Sequence, residues 1–88
     1  MKFRKKPVVI EAFQWKGEVA IPSWCVDRAK LIERYDSETG DVRPVVLQIE
    51  TLEGSMFASR GDWVIRGVKG EVYPCRADIF AETYEAAE

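Results

Sequence analysis

Arg60-Gly61-Asp62-Trp63-Val64-Ile65-Arg66-Gly67-Val68-Lys69-Gly70-Glu71-Val72-Tyr73-Pro74-Cys75 is the stretch whose reading decides the fold. Two short apolar runs, rich in β-branched and aromatic residues, are bracketed by glycines. That pattern predicts a tight turn, a strand, a glycine-bounded loop and a second strand. Arg60-Gly61 suits the middle of a type II turn, whose third residue needs a positive φ that glycine supplies without strain. Strands are expected over 62–66 and 71–75, joined by Gly67-Val68-Lys69-Gly70.

Working outward, residues 8–15 form a further strand candidate. Val9, Phe13 and Trp15 fall on one face and Val8, Ile10 and Ala12 on the other, so both faces are mostly apolar and a central strand is expected. Residues 21–27 suit a short helix with Pro22 at its first position, where the missing N–H costs little, and with Trp24 and Cys25 turned inward. A strand over 29–35, a polar hairpin loop over 36–41 and an alternating strand over 45–51 follow. Val45, Leu47 and Ile49 alternate with the outward Gln48 and Glu50. Leu52-Glu53-Gly54 closes another hairpin, with Gly54 at a positive φ and a short partner strand over 55–59. Residues 78–87 place Ile79, Phe80, Tyr84 and Ala87 on one helical stripe. Glutamates at its C-terminal end oppose the helix dipole, so the last turn should fray.

The sum is an α+β fold: a small, mainly antiparallel five- or six-stranded sheet built from hairpins, with a short helix near 21–27 and a C-terminal amphipathic helix near 78–87. No repeat or linker divides the 88 residues, so a single domain over 1–88 is expected. A chain of this size buries only roughly 60–65% of its unfolded surface, and four Phe, three Tyr and three Trp are available to fill its core.

Composition narrows the chemistry. The formal charge of −2 argues against a dedicated nucleic-acid binder. No apolar run approaches the roughly 20 residues that span a bilayer, and Glu11 interrupts Pro7-Val8-Val9-Ile10 before a signal-peptide core can form; a cytoplasmic protein with no membrane partner is expected. The chain has no histidine and two cysteines, Cys25 and Cys75. That removes Ser-His and Cys-His nucleophile pairs and the usual zinc sets. Both thiols are expected to be reduced and partly buried. Neither a cofactor nor an enzymatic activity is expected, since the carboxylates nearest the apolar runs (Glu11, Asp62, Glu71 and Asp78) have no spacing that pairs them.

The decisive stretch also carries a resemblance. Gly61 to Glu71, then Tyr73-Pro74-Cys75 and Asp78-Ile79-Phe80, resemble a family of small phage and prophage proteins. Their hallmark is a Pro-Gly-Asp-Tyr/Trp turn followed by Ile-x-Gly-Val-Lys-Gly-Glu-x-Tyr-Pro-Cys. The opening residues 1–12 and Thr51-Leu52-Glu53-Gly54 are similar to the same proteins, while 17–41 is the variable part. Arg60 departs from the pattern, standing where the family usually has Pro. The resemblance implies an uncharacterised phage- or prophage-type protein in the cytoplasm of a bacterial host, and it supplies no catalytic residue.

Two binding readings compete. Trp63 and Tyr73, with Trp15 or Trp24, would offer a stacking or docking surface for a protein partner from host, phage or a second copy; the same residues would equally fill the core of a small domain. Alternatively Arg66 and Lys69, with the N–H groups of Gly67 to Gly70, would cradle a small anionic ligand such as a nucleotide; a solvated hairpin tip explains the same glycines. The ligand or partner surface is therefore expected at Trp63, Arg66, Lys69 and Tyr73. Gly70-Glu71-Val72-Tyr73-Pro74 is also faintly similar to the end of an SH3-type peptide-binding barrel, without that family's tandem Trp. Lys2, Arg4, Lys5 and Lys6 form a basic arm that is expected to be solvated.

Overall fold

The computed structural model describes residues 1–3, 8–35 and 37–85. Its elements are β1 (Glu11–Gln14), α1 (Ser23–Val26), β2 (Ala29–Tyr35), β3 (Val42–Thr51), β4 (Gly54–Ser59), β5 (Trp63–Arg66), β6 (Val72–Cys75) and α2 (Ala77–Thr83). The strands form two antiparallel three-stranded sheets, ordered β1-β5-β6 and β2-β3-β4. The antiparallel α+β reading therefore stands, but the single five- or six-stranded sheet is replaced by two sheets.

The turn between β4 and β5 shows why. Asp62 N donates to Ser59 O at 3.0 Å and Gly61 has φ +95°, as a type II turn requires. This turn does not make a hairpin. Gly61 N donates to Trp15 O at 2.7 Å, and Trp15 N donates to Asp62 O at 2.9 Å. The turn is thus hooked onto the end of β1, and β5 continues along β1 with Phe13 opposite Val64. A flat six-stranded sheet from so short a chain would leave one apolar face in water; two stacked sheets bury an inner face of each against the other.

That core is built by alternation. Leu31, Leu47 and Ala58 lie opposite one another across the second sheet, as do Ala29 and Ile49. They meet Val64, Val72 and Phe13 of the first sheet, and Trp15 and Cys25 plug the cluster from the β1–β2 connection. Trp15, Cys25, Leu47, Ile49, Ala58 and Val64 are fully buried. The inward placement of Leu47 and Ile49 is as expected; Val45 is only half-buried.

Three elements are shorter than the sequence suggests. β1 is shorter than 8–15 and lies at a sheet edge, so Val8 and Val9 are exposed and the expected central strand is not found. α1 is one turn long, with Pro22 as its N-cap. α2 stops at Thr83, where Tyr84 turns extended (φ −122°, ψ 151°) and the Thr83 hydroxyl donates to Ile79 O at 2.8 Å. That early stop agrees with the expected fraying; Ala87 and Glu88 lie outside the described residues, as do Arg4, Lys5 and Lys6 of the basic arm and Asp36.

Candidate functional site

The candidate surface begins with the side chains that β5 turns away from the core. Alternation and register put Ala12, Gln14, Trp63, Ile65, Tyr73 and Cys75 on the outer face of the first sheet. Ile65 is 1% exposed yet stands apart from the central cluster. α2 lies over this face. The Phe80 ring stacks on Trp63, with centroids 4.1 Å apart and planes 3° from parallel, and Tyr84 tilts onto Phe80 at 5.0 Å.

Beside this stack runs an open groove of about 410 Å³, walled by Val9, Ile10 and Ala12 on one side and by Trp63, Phe80 and Tyr84 on the other. Val9 is 78% exposed. Among the described residues β1 pairs with β5 alone, so its outer edge meets no other described strand next to the groove. Apolar walls beside a free strand edge can accept an extended polypeptide by strand addition.

Of the four residues expected at the site, Trp63 and Tyr73 share this face and are half-buried. The Tyr73 hydroxyl is pushed up to about 12 by burial first and by its hydrogen bond to Tyr84 second. Arg66 lies on the opposite face, opposite Glu11, and pairs with it at 3.7 Å. Both groups are well solvated, so the pair contributes little. Lys69 is exposed at the loop tip. The four therefore do not form one constellation, because neighbouring strand positions point to opposite faces.

The glycine loop is occupied by its own chain. Gly67 N donates to Glu71 O at 2.8 Å, Gly70 N to Gly67 O at 3.0 Å, and Lys69 N to the Glu71 carboxylate at 3.0 Å. Gly67 has no positive φ; a Cβ there would meet the Glu71 carboxylate, a flexible side chain that would have to turn aside. Glu71 thus takes the position that an external anion would need.

The other residues weighed in the sequence have structural work. Trp15 is in the core and its Nε1 donates to Glu18 O at 3.0 Å; Trp24 packs edge-on to Phe13 at 5.6 Å. Neither joins Trp63 and Tyr73. Asp62 accepts from Ser59 N at 3.0 Å, and Asp78 from Ile79 N at 2.9 Å. Pro74 pairs with Val64 inside β6, an edge strand where its missing N–H is tolerated. No three Cys, Asp or Glu side chains among the described residues gather to hold a metal ion. No described helix is long and apolar enough to cross a membrane.

Cys25 and Cys75 are both free thiols. Burial raises the Cys25 thiol from 9.0 to about 11. The unfolded chain therefore ionises first, so this contribution to stability is intact below pH 9 and is lost as pH rises through about 11. Urea midpoints measured across that range are expected to fall with pH, and Cys25→Ala is expected to make the fall shallower. Tyr73, raised from 10.0, adds a loss of the same sign at still higher pH.

Compared with models of protein families, with curated proteins and with solved structures, the chain matches none.

Proposed function

We propose that this chain is a non-catalytic binding module of phage or prophage type, acting in the cytoplasm of a bacterial host. It docks a polypeptide partner along β1 and into the groove between Val9 and the Trp63–Phe80 stack. The observation that carries this reading is the coincidence of a strand edge with no partner among the described residues, a 78% exposed Val9 and a ready-stacked aromatic wall on one face. A strand edge supplies affinity through the backbone, and the aromatic groove selects alternate side chains. The carboxylates near the apolar segments are engaged by Arg66, by backbone N–H groups or by Arg76, which favours binding over acid–base chemistry.

A small-anion function at Gly67–Gly70 has less support, since Glu71 already fills the loop. The SH3-like alternative draws support from the two packed three-stranded sheets, but Pro74 lies within a strand and lines no aromatic groove.

The test is site-specific photo-crosslinking in the phage-bearing host. A benzophenone side chain at position 9 is expected to capture one discrete polypeptide, whether a second copy or another protein. The same probe at Glu33, on the other sheet, should not capture it. Equal adducts from both positions, or none from position 9, would overturn the reading.

A further inference from the structure

The far end of the β2–β3 hairpin holds a second concavity, remote in character from the apolar groove. Its volume is about 330 Å³, and Arg34, Arg43, Arg60, Tyr35, Ser37 and Glu38 line it. Among the described residues that is three arginines against one glutamate.

A β-bulge builds this cluster. From Ala29 to Ile32 the register pairs Leu31 with Leu47 and Ile32 with Val46. Glu33 then pairs with Pro44, so Val45 is the extra residue on β3. Without it, Arg34 would face Pro44. With it, Arg34 lies directly opposite Arg43. Like charges directly opposite across a strand pair destabilise a sheet, so the arrangement opposes folding unless a counter-anion sits between them. Asp41 relieves it weakly, at 3.9 Å from Arg43, and both groups are about half exposed or more. Arg34 has no partner among the described residues.

The third arginine is fixed in place. Arg60 donates to Pro44 O through Nε at 3.2 Å and Nη2 at 2.6 Å. Its stem passes over Gly17, where a Cβ would come within 3.0 Å of Nε. Pro44 can offer its carbonyl because β4 pairs β3 only from Val46 onward. A guanidinium held by its own backbone contact loses little freedom when it adds an anion. Tyr35, 65% exposed, stands at the rim with an open ring.

We propose that this concavity binds the phosphate group of a small phosphorylated molecule, with Arg34 and Arg43 as the gripping pair and Arg60 as the preset third donor. Guanidinium groups bind phosphate through paired N–H donors, which accounts for arginine at all three positions. Tyr35 is placed to flank whatever the phosphate carries.

The experiment is amide chemical-shift mapping at constant ionic strength, with inorganic phosphate, ribose 5-phosphate and adenosine 5′-monophosphate added separately. Each phosphate compound is expected to give saturable shifts centred on Arg34, Arg43, Tyr35 and Ser37, where an equal ionic strength of chloride gives none. Arg34→Gln and Arg43→Gln, both at exposed positions, should leave the rest of the spectrum unchanged. Each should weaken binding roughly ten- to a hundred-fold, the loss of one charge-assisted contact. Tighter binding of the nucleotide than of ribose 5-phosphate identifies a base stacked on Tyr35; equal binding identifies recognition of the phosphate alone. Shifts that do not saturate, or that persist unchanged in Arg34→Gln with its fold intact, would overturn the site.

Discussion

Trp15→Ala is expected to cost about 3–5 kcal/mol, the range for removing a fully buried large aromatic. A domain of this class holds only about 5–15 kcal/mol in total, so the variant should be close to unfolding. The cost is high because Trp15 does several jobs at one point in the chain. Its ring is fully buried between the sheets, its Nε1 holds Glu18 O, and its backbone clamps the turn at Gly61 and Asp62. Alanine keeps the backbone clamp but opens a cavity where both sheets and α1 meet. Urea denaturation followed by circular dichroism should show a lowered midpoint. Trp15→Phe, which retains much of the volume, should lose clearly less. A loss below about 1 kcal/mol for the alanine variant would be the size of a surface change and would remove Trp15 from the core.

Trp63→Ala is expected to have the second largest effect, about 2–3 kcal/mol, less than a core aromatic because Trp63 is only half-buried. Its consequence is more specific. α2 has seven residues, fewer than the roughly 12–15 at which even a favourable isolated helix becomes marginal in water. It stays helical because Phe80 lies on Trp63 and Tyr84 on Phe80. Removing the indole should free the helix, lose amide protection over 77–83 and uncover Ile65. The Tyr73 hydroxyl, raised by burial and by Tyr84, should then titrate lower, back toward 10.0. Phe80→Ala should reproduce these changes, and the double variant should cost less than the sum, since both remove one contact. Retained protection over 77–83 in Trp63→Ala would show that the stack does not hold the helix.

The two variants differ in their relation to the proposed docking groove, though both lower stability. Trp15 lies away from the β1 groove, whereas Trp63 forms its wall. Val9 contributes to the groove and little to the core, so it is the cleaner place to probe docking.

Local chemistry was legible wherever a residue type has one reason to be where it is. Gly54 and Gly61 were expected at positive φ and have it, at +110° and +95°. The alternation of Leu47 and Ile49 with Gln48 and Glu50 read out one face of β3. The hairpin between β2 and β3 was bounded by its polar loop. The early end of α2 was foreshadowed by glutamates at the wrong pole of the helix dipole.

The candidate site was less legible. Trp63 and Tyr73, grouped from the sequence, do share a face, yet Phe80 and Tyr84, which complete it, were assigned only to a helix stripe. Their spacing signalled a buried side but not what it would lie on. The arginine cluster gave no signal at all. Arg34, Arg43 and Arg60 are far apart in the chain, and the bulge at Val45 that sets two of them opposite each other leaves no mark in the composition.

By itself, then, the sequence determined the approximate places of most strands, their turns and the antiparallel hairpins, because φ preferences and the two-residue side-chain period act within a few residues. Only the tertiary structure decided that the Arg60–Cys75 stretch leaves β4 and joins β1. That choice rests on hydrogen bonds between Trp15 and the Gly61–Asp62 turn, some 46 positions apart, and on burying two inner faces at once. From it follow the position of β1 at the edge of its sheet, the outer aromatic face and the groove beside it. Contacts between distant segments fix all three, and no local pattern encodes them.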